Sequence, residues 1–195
     1  MASAEIHSIQ TVSGNQPRMR RLIEEAGQTF LPGTPVVILT AGDGGLAAWV
    51  GTNNTVIAGF SKEFGQNLAA LGTTPTAAVN PNPQPSTGQA VPFEASAVSI
   101  SRPLFRDGRQ AVEVATSDTI FVGQVGPAQT AVAANVGNSY GMTKDSDNHW
   151  YVDLTKSTSG TNTLVTITKL DPNDQSATPR SVYFVVQPAL QQLVA

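Results

Sequence analysis

Residues 26–61, AGQTFLPGTPVVILTAGDGGLAAWVGTNNTVIAGFS, decide the fold class. Three short apolar runs lie there: Val36–Leu39, Leu46–Val50 and Thr55–Phe60. Gly42-Asp43-Gly44-Gly45 separates the first two, and glycine reaches the positive φ that tight hairpin turns demand. Asn53-Asn54 separates the second and third, and asparagine tolerates that region less comfortably. Val, Ile, Thr, Trp and Phe fill the runs, residues that fit a pleated, half-buried surface. The spacing predicts a compact β-meander with a barrel-like body. None of its side chains is a reactive group.

On the N-terminal side, residues 1–23 read as an extended arm. The first sixteen are small and polar, with isolated Ile6, Ile9 and Val12. Such arms are disordered alone or laid on a partner. Pro17–Glu25 admits two readings. Pro17 opens a short helix with Arg20/Glu24 and Arg21/Glu25 paired at i,i+4, or the segment is extended and leads into the first strand. A helix there has barely two turns before Gly27, which favours the extended form. Arg18, Arg20 and Arg21 are candidate contacts to an acidic surface; the alternative is a solvated face.

On the C-terminal side the composition shifts twice. Residues 24–71 form an N-terminal β-subdomain that ends in a loop, Lys62–Leu71. Residues 72–92, GTTPTAAVNPNPQPSTGQAVP, are proline-rich and polar, and such segments stay extended. A structureless stretch this long is uncommon inside one compact domain. It reads as a linker between two β-subdomains or as a loop reaching a neighbour, with Pro81, Pro83 and Pro85 as candidate contacts. No Pro-x-x-Pro occurs among them. Residues 93–195 read as a second β-subdomain. Alternation marks strands at Ala97–Ile100, Val112–Val114, Ile120–Val122, Trp150–Leu154, Val165–Ile167 and Ser181–Val186. Turns fall at Arg106-Asp107-Gly108-Arg109, Lys156–Asn162 and Asp171-Pro172-Asn173-Asp174. Pro127 followed by alanine-rich Ala128–Asn135 predicts one short helix closed by Gly137. Short strands spaced by turns throughout predict an all-β fold with one or two short helices.

Composition narrows the function classes. Hydrophobic residues make up 40% of the 195, enough for a core, while only 13% are charged. That is about half the usual share. A polar but weakly charged surface suits a protein packed on other proteins, or simply a β-rich domain. A net charge of −3 gives no electrostatic case for nucleic acid. The absence of cysteine excludes disulfides, thiolate zinc sites and thiol catalysis. No run approaches the roughly 20 apolar residues of a membrane span. MASAEIHSIQ has no apolar core of signal-peptide length, so synthesis and folding in a cytoplasm are expected.

Chemistry-bearing motifs are scarce. Asp145-Ser146-Asp147-Asn148 resembles the start of a calcium loop. An EF-hand needs glycine at its sixth position and glutamate at its twelfth, and Trp150 and Lys156 stand there, so a polar turn is the better reading. His7 and His149 are the only histidines. No nucleophile elbow, P-loop or dinucleotide fingerprint is present. Glu24/Glu25 and Asp171/Asp174 are neighbours in sequence, whereas a glycosidase needs two carboxyls facing across a cleft. No catalytic, cofactor or metal residue is assigned.

Three segments carry a resemblance: Glu25-Ala26-Gly27-Gln28-Thr29-Phe30, Gly33-Thr34-Pro35-Val36 and Ile57-Ala58-Gly59-Phe60. Further on come Thr119–Gly126, Gly137-Asn138-Ser139-Tyr140-Gly141, Trp150-Tyr151-Val152-Asp153, Leu170-Asp171-Pro172 and Val182-Tyr183-Phe184. Together they resemble the capsid decoration, or cement, proteins of tailed bacteriophages, over about residues 24–187. Residues 72–92 lie outside the resemblance. It implies a structural virion protein on the outer face of an icosahedral shell. It further implies a homotrimer, with the major capsid protein as partner, and no enzymatic activity. The body forms the trimer, and residues 1–23 and 72–92 are expected to reach the shell or a neighbouring copy. The alternative is a fibre or head-surface module that binds host glycans. A hydrolase with distant carboxylates is the third reading.

Overall fold

Period-two alternation produces eleven short strands in the computed structural model, which describes residues 6–40, 45–51, 55–65, 109–157 and 163–193. They are β1 (His7–Thr11), β2 (Met19–Ile23), β3 (Pro35–Ile38), β4 (Leu46–Ala48), β5 (Gly59–Ser61), β6 (Arg109–Val114), β7 (Thr119–Gln124), β8 (Ser139–Lys144), β9 (Trp150–Asp153), β10 (Val165–Leu170) and β11 (Ser181–Val186). Two antiparallel sheets result, ordered β2-β6-β5-β3-β4 and β1-β7-β11-β10-β8-β9. The fold is all-β. Its helical content among the described residues is two single 3-10 turns, Ala133–Asn135 and Pro188–Leu190.

With β1 set aside, the two sheets have one topology. Numbered in chain order, the strands of each run 1-5-4-2-3 across the sheet. In each, the residue after the first strand makes a parallel bridge to the third: Glu24 to Leu46, and Val125 to Val152. Each sheet therefore curls toward closure, but a single bridge does not close a barrel. The registers coincide. Pro35 faces Phe60 as Ser139 faces Thr166, and Arg20 faces Val112 as Phe121 faces Phe184. The loop bonds coincide as well. Gly33 N–H donates to Ser61 O (2.7 Å), as Gly137 N–H does to Ile167 O (2.8 Å). Both glycines are left-handed, with φ of 79° and 84°. Gln28 Oε1 accepts the Ala48 N–H at 2.9 Å, and Gln129 Oε1 accepts the Leu154 N–H at 2.8 Å. The chain is thus a tandem duplication. Repeat I is β2–β6 and repeat II is β7–β11.

The interiors differ in sequence and agree in placement. Leu22, Phe30, Val36, Ile38, Leu46 and Val112 pack inside repeat I. Gly123, Ala131, Tyr140, Met142, Val152 and Phe184 hold the equivalent positions of repeat II. Bulk lost at one position returns at another: Phe30 becomes Ala131, while Val36 and Val112 become Tyr140 and Phe184. Cores tolerate such exchange when total volume is kept. Gly123 leaves room that Ile6 fills; a Cβ there would lie 3.0 Å from Ile6 Cγ1. Leu22 supplies that bulk itself in repeat I.

Aromatic contacts join the repeats. Phe60 pairs with Pro35 and Glu113, on the face turned away from Val36 and Val112. Its ring lies 4.7 Å from Phe121 and 6.0 Å from Phe184, centroid to centroid. All three are fully buried. Beside them Glu113 accepts the Ser8 N–H at 2.6 Å and pairs with Lys62 at 3.1 Å. Ser8 precedes a bulge in β1, where the register to β7 shifts, so the carboxylate takes an N–H that points out of the ladder. Trp49 of repeat I also meets Trp150 of repeat II at 5.3 Å.

Several expectations are corrected. The arm is not free: His7–Thr11 is a paired strand and Ile6 is 1% exposed, because Gly123 provides its seat. Pro17–Glu25 is extended, as favoured above, but it forms a full strand of repeat I. The stretch at 26–61 is not a simple meander. β3 lies between β4 and β5, because the chain after β4 returns across to the far edge of β3. β6, within the stretch read as the second β-subdomain, belongs to the first sheet, and the repeats meet after Val114. The expected helix is a single 3-10 turn. Upstream of it, Ala131 N–H is held by Pro179 O and Gln129 by Leu154, which draws that segment out across the sheet. Residues 41–44, 52–54, 66–108 and 158–162 lie outside the described residues, and with them all but Gly45 of the Gly42–Gly45 turn, the Asn53-Asn54 turn, the proline-rich segment 72–92, the strand expected at 97–100 and most of the turn expected at Lys156–Asn162.

Two measurements check this architecture. Gln28→Ala and Gln129→Ala each remove the equivalent acceptor, together with an amide donor bonded to Ala26 O in one and to Asp153 Oδ1 in the other, and are each expected to cost about 1–2 kcal/mol in urea unfolding; a large cost at one site and none at the other would break the equivalence. Phe60→Ala is expected to cost about 3–5 kcal/mol and to give two unfolding transitions by calorimetry where the unaltered chain is expected to give one.

Candidate interaction surface

Of the sequence-derived contact residues, the structure describes the arginines. Pro81, Pro83 and Pro85 lie outside the described residues. Arg18, Arg20 and Arg21 sit on or beside β2, an outer strand of repeat I. Their environments diverge. Arg21 is half-buried, with its guanidinium 3.3 Å from Glu63 Oε1 and donating to Arg109 O at 2.9 Å. Arg18 lines a polar cleft of about 220 Å³ with Asn15, Gln16, Ser117 and Asp118. Arg20 is exposed and makes no ion pair among the described residues. Met19 and Ile23, on the same strand, are 56% and 45% exposed. The strand therefore offers apolar and basic groups together.

The cleft beside Arg18 is built by one carboxylate. Asp118 accepts the Ser13 hydroxyl at 2.5 Å and the Ser13 N–H at 2.9 Å. These donors, led by the hydroxyl, hold its pKa below the ordinary value, with a smaller contribution from Arg18. Asp118 is thus a brace for the β1–β2 turn.

A second cleft, of about 200 Å³, lies between the repeats. Gln28, Thr29, Phe30 and Trp49 line it from repeat I, and Lys144, Asn148 and Trp150 from repeat II. Both tryptophans are 6% exposed, and Trp49 spends its indole N–H on Thr55. Little ring face is left for a ligand.

The acid-rich turn resolves into structure. Asp145, Asp147 and His149 bring ligand-type atoms within 4.8 Å of one another. However, Asp145 Oδ1 accepts the N–H groups of Asp147 and His149, both at 2.9 Å. Its Oδ2 accepts the Tyr151 hydroxyl at 2.9 Å. Burial pushes the Asp145 pKa up, but these donors outweigh it and the net shift is downward. Asn148 takes φ of 66° to close the turn, a region asparagine tolerates. Asp153 follows the same pattern: burial raises its pKa, and Thr155 and Gln129 more than reverse it. Asp174 is lowered to about 2 by the N–H groups of Arg180 and Ser181 and the Ser176 hydroxyl. A general acid needs the opposite shift. These four carboxylates are acceptors that hold turns.

No family model, no curated protein and no solved structure matches this chain.

Asp174 gives a pH prediction. Its folded pKa, about 2, is below the ordinary aspartate value of 3.8, so its contribution is fully present above the unfolded value and is lost as pH falls through the folded one. Asp174→Asn is expected to lower the melting temperature at pH 7 and to flatten its decline between pH 4 and pH 2. An unchanged pH profile would remove Asp174 from that role.

Proposed function

We propose that this chain is a non-enzymatic cement protein of the tailed-bacteriophage type, bound to the outer surface of a capsid and bracing adjacent capsomers. Its partners are the major capsid protein and further copies of itself in a trimer, and its place is the virion. The observation that carries the reading is the duplication. Two sheets of one topology, locked by Phe60, give one chain two equivalent frames, which suits attachment to a surface that itself repeats. Attachment at several points gives avidity beyond any single contact. The resemblance noted in the sequence runs through both repeats. The lowered pKa values of Asp118, Asp145, Asp153 and Asp174 support a structural role for those acids.

The glycan-binding alternative would use the cleft between the repeats, where Trp49 and Trp150 meet. Their burial disfavours it, since sugar stacking needs an open ring face.

Mixing the purified protein with undecorated phage capsids, followed by sedimentation and particle imaging, tests the proposal. Regular surface density and a higher capsid disruption temperature are expected. Protein that stays in the supernatant at saturating concentration would overturn the reading.

A further inference from the structure

Repeat II carries a strand that repeat I lacks among the described residues. β1 lies antiparallel along the outer edge of β7, with His7 opposite Val122, Ser8 opposite Phe121, Gln10 opposite Ile120 and Thr11 opposite Thr119. The equivalent edge of repeat I runs through Arg18, Met19, Arg20 and Arg21. Its polarity can be read from one bond. Val114 N–H donates to Arg18 O at 2.9 Å, so Arg18, Arg20 and Leu22 turn their backbone groups toward β6. The N–H and C=O of Met19 therefore point away from the sheet. Its side chain is exposed on one face, and that of Arg20 on the other.

The charge pattern selects the occupant. Arg20 has no ion pair among the described residues, and Arg18 sits one alternation away on the same face. A second copy fits poorly: pairing β2 with β2 sets arginines against arginines, and like charges directly opposite are destabilising. β1 of a neighbouring copy, HSIQT, brings no carboxylate. The other outer strand of repeat I, β4, reads LAA and brings none either.

We propose that the β2 edge accepts an extended acidic segment of a partner protein, which adds a strand to repeat I as β1 does to repeat II. Carboxylates lie opposite Arg18 and Arg20, and an apolar residue lies opposite Met19. Leu22 already fills the interior space that Ile6 fills in repeat II. The incoming strand therefore binds through its backbone and its charges, without a buried plug. Strand addition of this kind takes affinity from main-chain hydrogen bonds and specificity from alternate side chains.

The probe is a labelled, end-blocked heptapeptide with glutamate and valine alternating, compared with the same peptide carrying lysine for glutamate. Anisotropy titrations of the full chain at low salt are expected to show saturable binding of the glutamate peptide, about tenfold or more tighter than the lysine peptide. Arg20→Glu is expected to abolish the difference, and Arg20→Gln to reduce it if the first variant does not fold. Hydrogen exchange at the Met19 amide is expected to slow on binding. Equal binding of both peptides, no effect of either Arg20 variant, or a Met19 amide already protected in the free protein would overturn the proposal. So would self-association that protects the same amide. No capsid enters the experiment, so its failure leaves the shell-binding reading standing, and the reverse holds too.

Discussion

The contact of Phe60 with Phe121 and Phe184 is the interaction on which the rest depends. A five-stranded repeat of this size buries too little of its surface to be secure alone. Phe60 leaves the outer face of repeat I and enters the interior of repeat II, so that one aromatic cluster serves both. Aromatic pairs at such separations add to the burial they bring. The same positions at the free ends are polar. The counterpart of Phe60 is Thr166, bonded to Ser139 at 2.9 Å, and the counterpart of Phe121 is Arg20. Repeat proteins need terminal units with polar outer faces to stay soluble. Both free ends of this pair of repeats are polar in that way.

Much of the fold class was legible and the duplication was not. Strand-forming runs and turn residues placed β7, β10 and β11 well, because alternation and punctuation are local signals. Ser181–Val186 is a strand over the same residues read from sequence, and Pro188 follows it into a 3-10 turn. The repeat is not local. Across it the aligned signals are Gln28-Thr29 with Gln129-Thr130, and Gly33 with Gly137. Gln and Gly persist because a side-chain acceptor and a left-handed residue are required there. Core positions differ in residue type between the repeats, under the weaker demand of constant volume.

Strand order was hidden for a related reason. The β-meander expected at 26–61 rests on sequential strands being neighbours, which is a tendency only. Here the chain after β4 returns past β3, and Gly59 allows the close approach: a Cβ there would lie 2.0 Å from Glu113 O. Nothing in the glycine itself announces its partner. Of the contact candidates, the arginines gathered on one edge because three stand within four positions, but only the structure separates Arg21, held by Glu63, from exposed Arg20. The expected arm failed for want of one fact, that Gly123 leaves a hole the size of Ile6. Between β5 and β6 repeat I spends residues 62–108, where repeat II spends only 171–180.

The pairing of β1 with β7 also sets an order of events during synthesis. Ser8 and Glu113 stand 105 positions apart, and β7 begins only after β6 has been made. The N-terminal segment therefore waits for an edge that does not yet exist. Long-range strand pairing is slow because the chain must be closed before the contact is rewarded. β1 is thus held over until repeat II has begun, and the seating of Ile6 on Gly123 follows the synthesis of β7.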